Sequence, residues 1–137
     1  MNIGLIMGDL IKSVGKQIAT SFIENEKGIP MESYMLLNIL YEQDNIILHD
    51  LANIMKKDKS GVLRQIDALE KQKLVVRIAD SEDRRKKTIT LTKEGVKKIE
   101  RLREIEATIF NNLLKGVPEK DLKIFESVLN TMRSKIS

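Results

Sequence analysis

Residues 59–91 read KSGVLRQIDALEKQKLVVRIADSEDRRKKTITL, and this stretch decides the fold. Over residues 59–72 the apolar side chains recur at steps of three and four, which predicts an amphipathic helix with Val62, Ile66 and Leu69 toward the core. The opposite side of that helix is polar and basic; it carries Ser60, Arg64, Ala68 and Lys71.

The period then changes from that of a helix to that of a strand. In residues 74–79 we expect Leu74, Val76 and Ile78 to point inward, and residues 87–91 alternate in the same way, with Ile89 and Leu91 inward. The intervening residues 80–86 are polar and turn-prone, so the pair predicts an antiparallel hairpin with an exposed cationic tip.

The remaining periodicity predicts helices on both sides of this stretch. Helices are expected over residues 3–24, 31–44 and 49–56, with a minimal strand at 46–48. The third helix is expected to bury Leu51, Ile54 and Met55, and Asp58 or a neighbouring residue to cap the fourth. A long helix follows Thr92 as far as Gly116, and a last helix begins at Pro118. The class is mostly α, with the order of a winged helix-turn-helix.

Charge is concentrated around the same stretch. Residues 56–103 hold 16 of the 24 Lys and Arg side chains but only 8 of the 20 Asp and Glu side chains. A basic surface of this kind binds polyanions by releasing condensed counterions. A solvated lysine-rich face is the alternative that charge by itself leaves open.

Composition argues against most enzyme classes and most metal sites. The chain of 137 residues has no cysteine, a single histidine at position 49 that we interpret as a surface or capping residue, and no glycine-rich phosphate loop. No convergent acid and base pair is present, so we expect no catalytic residue, no cofactor and no metal. The N-terminal apolar stretch is too short for a membrane span, and a cytoplasmic protein is expected.

The order and spacing of these features resemble the MarR family of bacterial transcription regulators. The residues that carry the resemblance are the 28–30 entry Gly-Ile-Pro, the reader-helix segment 51–71 and, most specifically, Asp83-Arg84-Arg85-Lys86-Lys87 followed by Ile-Thr-Leu-Thr. The resemblance implies a homodimeric DNA-binding regulator that reads a pseudo-palindromic operator. It also implies a small apolar or phenolic effector.

The resemblance also divides the single MarR-like domain, residues 1–137, by role. Residues 30–92 would form the winged DNA-binding part, and residues 1–29 and 93–137 the dimerisation helices. The apolar stripes of the terminal helices are too long for a chain of this size to cover, which favours a dimer seam. A winged-helix protein-interaction module with a basic surface is the alternative function.

Reach and charge indicate which side chains contact DNA. Arg64 is the expected base reader, because an Arg takes guanine bidentately. Arg85 is expected in the minor groove, and Asp83 is expected to hold Arg85 or brace the wing rather than to meet phosphates. Ser60 has a cap or solvent role as its alternative, and Gln65 lies toward the flank of the helix. The full set of expected contacts is Lys59, Ser60, Gly61, Arg64, Gln65, Arg84, Arg85 and Lys87.

Two residues depart from the family pattern, and two basic residues of the wing are expected to make no specific contact with DNA. Gly61 stands where relatives carry Thr or Ser, which lowers helix propensity by up to roughly 1 kcal/mol. Lys73 stands where relatives carry Gly, so it must adopt a left-handed conformation or let the helix end differently. Arg77 and Lys86 are interpreted as solvated wing charges.

Overall fold

A computed structural model describes residues 2–136. Within these residues six helices and three short strands follow one another in the order α1, α2, β1, α3, α4, β2, β3, α5, α6. Their bounds are α1 Ile3–Glu26, α2 Met31–Glu42, β1 Ile46–Ile47, α3 Leu48–Met55, α4 Lys59–Lys71, β2 Val75–Ala79, β3 Lys87–Leu91, α5 Lys93–Leu113 and α6 Glu119–Ile136. The mostly helical winged class is therefore confirmed.

Contacts divide the chain into two compact units, Met1–Glu106 and Ala107–Ser137, and the division falls within α5. The first unit holds the sheet, α1 to α4 and most of α5. Its core is aliphatic, and one aromatic pair contributes, since the rings of Phe22 and Tyr34 meet edge to face with centroids 5.0 Å apart.

The sheet is three-stranded and antiparallel, in the order β1-β3-β2. The expected hairpin is present, with Val75 opposite Leu91 and Ala79 opposite Lys87. The short strand β1 pairs with the other side of β3, where Ile46 faces Ile89. We call the β2–β3 hairpin with its turn, residues 75–91, the wing, and residues 80–87 its tip. The pairing of β1 with β3 links the start of α3 to the wing.

The expected inward face of β2 is wrong. Val75 is fully buried, whereas Val76 and Ile78 are 36% and 49% exposed. Leu74 is buried but precedes the strand, so the alternation begins one residue later than expected and every later side chain changes face. The strand also leaves the core as it approaches the wing tip, so that of its five residues Val75 is fully buried, Arg77 is half-buried and the others are exposed.

Smaller differences concern the second and third helices. Helix α2 ends at Glu42 rather than at residue 44, because Gln43 is already extended and Asn45 is left-handed with φ 56°. Helix α3 begins at Leu48. It buries Leu51 as expected, but Ile54 is 43% exposed and Ala52 takes the second core position.

Helix α4 forms as its periodicity predicts. Val62, Ile66 and Leu69 are fully buried. The Asp58 carboxylate caps the first turn by accepting the Gly61 N–H at 3.3 Å. One face of α4 is thereby fixed in the core and the opposite face is left to solvent.

The end of α4 is joined to the beginning of α5 by what we call the α4–α5 junction, formed by Lys73, Leu74, Thr92 and Gly95. Lys73 adopts the left-handed conformation, φ 63°, after the last turn of α4. The Thr92 hydroxyl donates to the Lys73 carbonyl at 2.7 Å and accepts the Gly95 N–H at 2.9 Å. The Thr92 N–H donates to the Leu74 carbonyl at 3.0 Å. One threonine therefore caps α5 and ties it to the loop that leaves α4.

A largely buried ion cluster holds the end of α1 against α5. The Glu26 carboxylate accepts from Lys98 at 3.0 Å and from Arg101 at 2.5 Å, and its side chain is 13% exposed. Burial by itself raises the pKa of Glu26, but the Arg101 and Lys98 hydrogen bonds outweigh burial, so the pKa is lowered. The stability that this carboxylate supplies is present above its unfolded pKa of about 4.5 and is lost as the pH falls through the lower folded value.

The apolar stripes of the terminal helices are uncovered in a single chain. On α1, Leu5 is 71% exposed and Leu10 is 51% exposed, and α6 has no buried residue. The larger exposed side chains of α6 lie along one stripe: Ile124, Phe125, Val128, Leu129, Met132 and Ile136.

The α4–α5 junction generates a stability prediction. A Cβ at Gly95 would lie 2.0 Å from the Leu74 carbonyl oxygen, a backbone atom that cannot move without breaking the junction. Gly95→Ala should therefore lower the free energy of unfolding by about 3 kcal/mol, even though Ala is the better helix former. Urea unfolding at fixed protein concentration measures this change.

Gly8→Ala is the matched control, because a Cβ there meets nothing within 4 Å. It should leave stability unchanged or raise it by up to ~1 kcal/mol. Equal stability of the Gly95→Ala and Gly8→Ala proteins would contradict the close approach at the junction.

Candidate nucleic-acid interface

The polar side of α4 is open to solvent, as its periodicity predicts. Ser60, Arg64, Ala68 and Lys71 are all exposed, and Lys59 at the first helical position is exposed as well. The carboxylate of Asp58 is engaged in the cap, so the first two turns present a hydroxyl and a guanidinium. This is a face that can hydrogen-bond to base edges in a major groove.

Gly61 has a local structural explanation. A Cβ at this position would lie 2.9 Å from the Asp58 carboxylate oxygen that caps the helix. A larger residue would have to displace that carboxylate. Gly61 therefore leaves the capping carboxylate in place at the expense of helix propensity.

Gln65 is less available than an exposed reader would be. Its side-chain N–H donates to the Glu32 carboxylate of α2 at 2.8 Å, and its carbonyl oxygen is buried without a hydrogen-bond partner among the described residues. Lys57 forms an ion pair with the same carboxylate. We refer to Glu32, Lys57 and Gln65 as the Glu32 cluster.

Two carboxylates build the tip of the wing from inside. Asp80 accepts the backbone N–H groups of Glu82 and Asp83 at 3.2 and 3.0 Å. Asp83 accepts both the backbone N–H and the Nε–H of Arg85, at 3.1 and 3.2 Å. These side-chain and backbone hydrogen bonds from Arg85 lower the pKa of Asp83. Asp80 and Asp83 therefore face the turn, and Glu82 is the acidic residue that is exposed on its outer surface.

The basic residues of the tip project outward. Arg84, Arg85, Lys86 and Lys87 are all exposed. The side chain of Arg85 is 92% exposed even though its Nε contacts Asp83. Asp83 thus orients Arg85 while leaving most of the guanidinium accessible.

Arg77 is not the solvated wing charge that the sequence indicated. It shares the inward face of β2 with Val75 and forms an ion pair with Asp67 of α4, with a side-chain exposure of 28%. Its Nε is buried without a hydrogen-bond partner among the described residues. The contact ties β2, the first strand of the wing, to α4.

Sequence reasoning therefore missed three acidic residues that organise the interface. Asp80 had a readable signal, since an Asp at the start of a polar turn commonly accepts backbone N–H groups two and three residues on. Glu32 and Asp67 had none, because their partners lie 33 and 10 residues away in the sequence.

A concavity of about 560 Å³ lies at the start of α4. It is lined by residues of α2 and α4 and of the turn before α4, including Pro30, Glu32, Lys57, Gly61, Arg64 and Gln65. Within residues 2–136 no group of three or more His, Asp or Glu side chains is placed to hold a metal ion. None of the helices described is long and apolar enough to cross a membrane.

Comparison with known proteins places this geometry in a family. The MarR family model matches residues 29–87, which contain α2 to α4, β2 and the turn at the wing tip and end at the first residue of β3. The transcriptional regulator FarR of Neisseria gonorrhoeae is 33% identical over 109 residues, which are 76% of this chain and 68% of FarR. The chain belongs to the MarR family.

Solved structures show the same fold over almost the whole chain. The Staphylococcus aureus MepR–DNA complex is 25% identical with a TM-score of 0.80, and the match covers 99% of both chains. CouR of Rhodococcus jostii, solved with p-coumaroyl-CoA, is 22% identical with a TM-score of 0.76, covering 96% of this chain and 91% of CouR.

Membership fixes the general function. The chain is a MarR-family DNA-binding transcription regulator, as its sequence predicted, and not an enzyme.

Proposed function

We propose that this MarR-family regulator is a homodimeric repressor that occupies a pseudo-palindromic operator. In this proposal Lys59, Ser60, Gly61, Arg64 and Gln65 of each protomer lie in or beside the major groove. Arg84, Arg85 and Lys87 of each wing contact the flanking minor groove and backbone. Occupation of a promoter by the dimer would exclude the transcription machinery.

The observation that carries the proposal is the outward direction of the basic residues at the wing tip, next to a polar and basic face of α4 that is open to solvent. Every basic residue of the wing tip is exposed, while Asp80 and Asp83 bond inward to the turn. Helix α4 begins with an N-terminus that Asp58 caps. Recognition helices contact base edges with their N-terminal residues. Both features favour a duplex as the partner.

The ion pair between Arg77 and Asp67 supports simultaneous use of helix and wing. It links the strand that leads to the wing tip with the exposed helix. If the wing moved independently, ordering it on DNA would cost conformational entropy at each binding event. We infer that Arg77 presents the two elements to DNA as a single surface.

The dimer is proposed from uncovered apolar surface. The described residues of α1 and α6 expose long aliphatic stripes, and a monomer that keeps such patches in water tends to associate. In this proposal residues 1–29 and 93–137 form the dimerisation part and residues 30–92 the DNA-binding part. This functional division does not coincide with the two compact units.

A small apolar or phenolic effector that releases the DNA is also part of the proposal. The family resemblance implies it, and CouR, which has the same fold, was solved with p-coumaroyl-CoA. A second cavity, lined by residues that include Asn25, Gln72 and Lys98, is no candidate for an apolar effector, because charged and polar residues form most of its lining. The regulator would act in the cytoplasm, where promoter DNA is found.

The dimer proposal predicts the effect of a charge on α1. Leu10 is 51% exposed in the protomer, so Leu10→Asp should leave the protomer folded but place a carboxylate in the apolar seam. Sedimentation equilibrium should show a dimer for the unmodified chain at micromolar concentration and mainly monomer for this variant. Thr20→Asp, an exposed polar position on the same helix, should remain dimeric.

A folded, monomeric unmodified chain at that concentration would contradict the dimer.

The DNA proposal predicts different energies from α4 and from the wing. DNA selected from a random pool should contain half-sites whose centres lie about 10 base pairs apart. On that DNA, Arg64→Ala should cost roughly 1 to 3 kcal/mol and relax one base preference per half-site, as loss of a bidentate contact does. Arg85→Ala should weaken selected and random DNA alike and lower the salt slope by about one per protomer.

Lys71→Ala is the matched control, because Lys71 is exposed on the same face but in the last turn of α4. Its effect on base preference should be absent. If Arg85→Ala leaves both the affinity and the salt slope unchanged, the wing does not contact DNA and this part of the proposal fails.

A further inference from the structure

The Glu32 cluster places an acidic side chain within the surface proposed to meet DNA. Glu32 lies in the first turn of α2, and its side chain is 60% exposed. One carboxylate oxygen forms the ion pair with Lys57, and the other accepts the Gln65 N–H at 2.8 Å. Both oxygens are therefore bonded to side chains of α4 or of the turn that precedes it.

The position of the cluster makes it relevant to binding. Glu32, Lys57 and Gln65 line the same concavity as Gly61 and Arg64 of α4. Lys57 precedes α4 by two residues, and its side chain is 30% exposed. A phosphate that approached the start of α4 would meet Lys57 already paired and Glu32 carrying the same sign of charge as itself.

The two carboxylates of this concavity differ in role. Asp58 is required as the N-terminal cap of α4, since it accepts the Gly61 N–H. Glu32 caps nothing, because it belongs to another helix and its hydrogen-bonding partners are side chains. A structural need of α4 therefore accounts for Asp58 but not for Glu32.

We propose that Glu32 is an intramolecular competitor for DNA phosphates, which sets the affinity for duplex DNA by holding Lys57 in an ion pair. This inference rests on the proposed docking of α4 on DNA. While the ion pair with Glu32 persists, the bound chain forgoes a phosphate contact at Lys57. This loss lowers the affinity for any sequence, since a phosphate contact carries no base information.

Counterion release gives the size of the effect. A lysine that gains a phosphate contact steepens the dependence of log affinity on log salt concentration by about 0.9, which corresponds to about eightfold at ~0.1 M salt. An exposed ion pair is weak and screened, so the competitor reduces affinity without abolishing binding.

The test compares four variants with the unmodified chain on random-sequence duplex DNA over a series of salt concentrations. Glu32→Gln removes the charge and keeps the size of the side chain. Lys57→Met removes the amine and keeps most of the stem, and it is made alone and combined with Glu32→Gln. Glu119→Gln is the control for the same change in net charge, because Glu119 lies in the first turn of α6 and outside the exposed apolar stripe of that helix.

Glu32→Gln should bind random duplex several-fold more tightly, up to about eightfold per protomer at ~0.1 M salt, with a salt slope steeper by about one per protomer. Lys57→Met alone should leave the slope nearly unchanged, because Glu32 already neutralises Lys57. The double variant should lose the gain in slope. Glu119→Gln should behave as the unmodified chain.

Two outcomes would overturn the inference while DNA binding itself persists. One is a Glu32→Gln protein whose affinity and slope equal those of Glu119→Gln. The other is a gain that survives in the double variant, because that gain would not come from Lys57. Failure of the unmodified, folded chain to bind duplex DNA at low salt would instead contradict the proposed function.

Discussion

The geometry of the interface depends on the hydroxyl of Thr92. This hydroxyl accepts the Gly95 N–H as the cap of α5 and donates to the carbonyl of Lys73. Lys73 is the left-handed residue that follows the last turn of α4. The Leu74 carbonyl accepts the Thr92 N–H and lies so close to Gly95 that a side chain there is excluded. The end of the reader helix, the start of β2 and the start of α5 are therefore fixed by one set of hydrogen bonds.

Ion pairs then fix how the wing lies against α4 and how the side chains of its tip are oriented. Arg77 holds the wing to α4 through Asp67, and Asp83 holds Arg85 within the tip. Because Asp83 faces the turn, Arg85 keeps an outward direction, whereas Arg77 lies on the inward face of β2. Glu32 differs from these two acidic partners in its position, since it lies beside the start of α4 and pairs with Lys57.

The periodicity of the sequence predicted the features that depend on residues close to one another along the chain. The buried face of α4, the hairpin and the exposed basic tip follow from side-chain spacing, because a helix repeats every 3.6 residues and a strand every two. The left-handed conformation of Lys73 was one of two outcomes open to a residue that replaces glycine, and the structure adopts it. The face of β2 was mispredicted because alternation gives a period but not a starting residue, and Val75 rather than Val76 points inward.

Tertiary pairing could not be predicted in this way. The partners of Gln65 and Arg77 are set by which helix face meets which strand, and nothing in the spacing of the chain distinguishes a free Arg from a paired one. The same limit applies to β1, whose partner strand lies more than 40 residues further along the sequence.

The central claim is that α4 and the wing of one protomer contact adjacent grooves of the same duplex. The chain contains no cysteine, so Ser60→Cys and Arg84→Cys each provide a unique attachment site for an iron chelate that cleaves nearby DNA. On DNA recovered by selection, the label on α4 should cleave within each half-site, and the label on the wing should cleave outside it, about half a helical turn, ~5 base pairs, further out. Cleavage by both labels at the same positions, or scattered cleavage by the wing label, would contradict the claim.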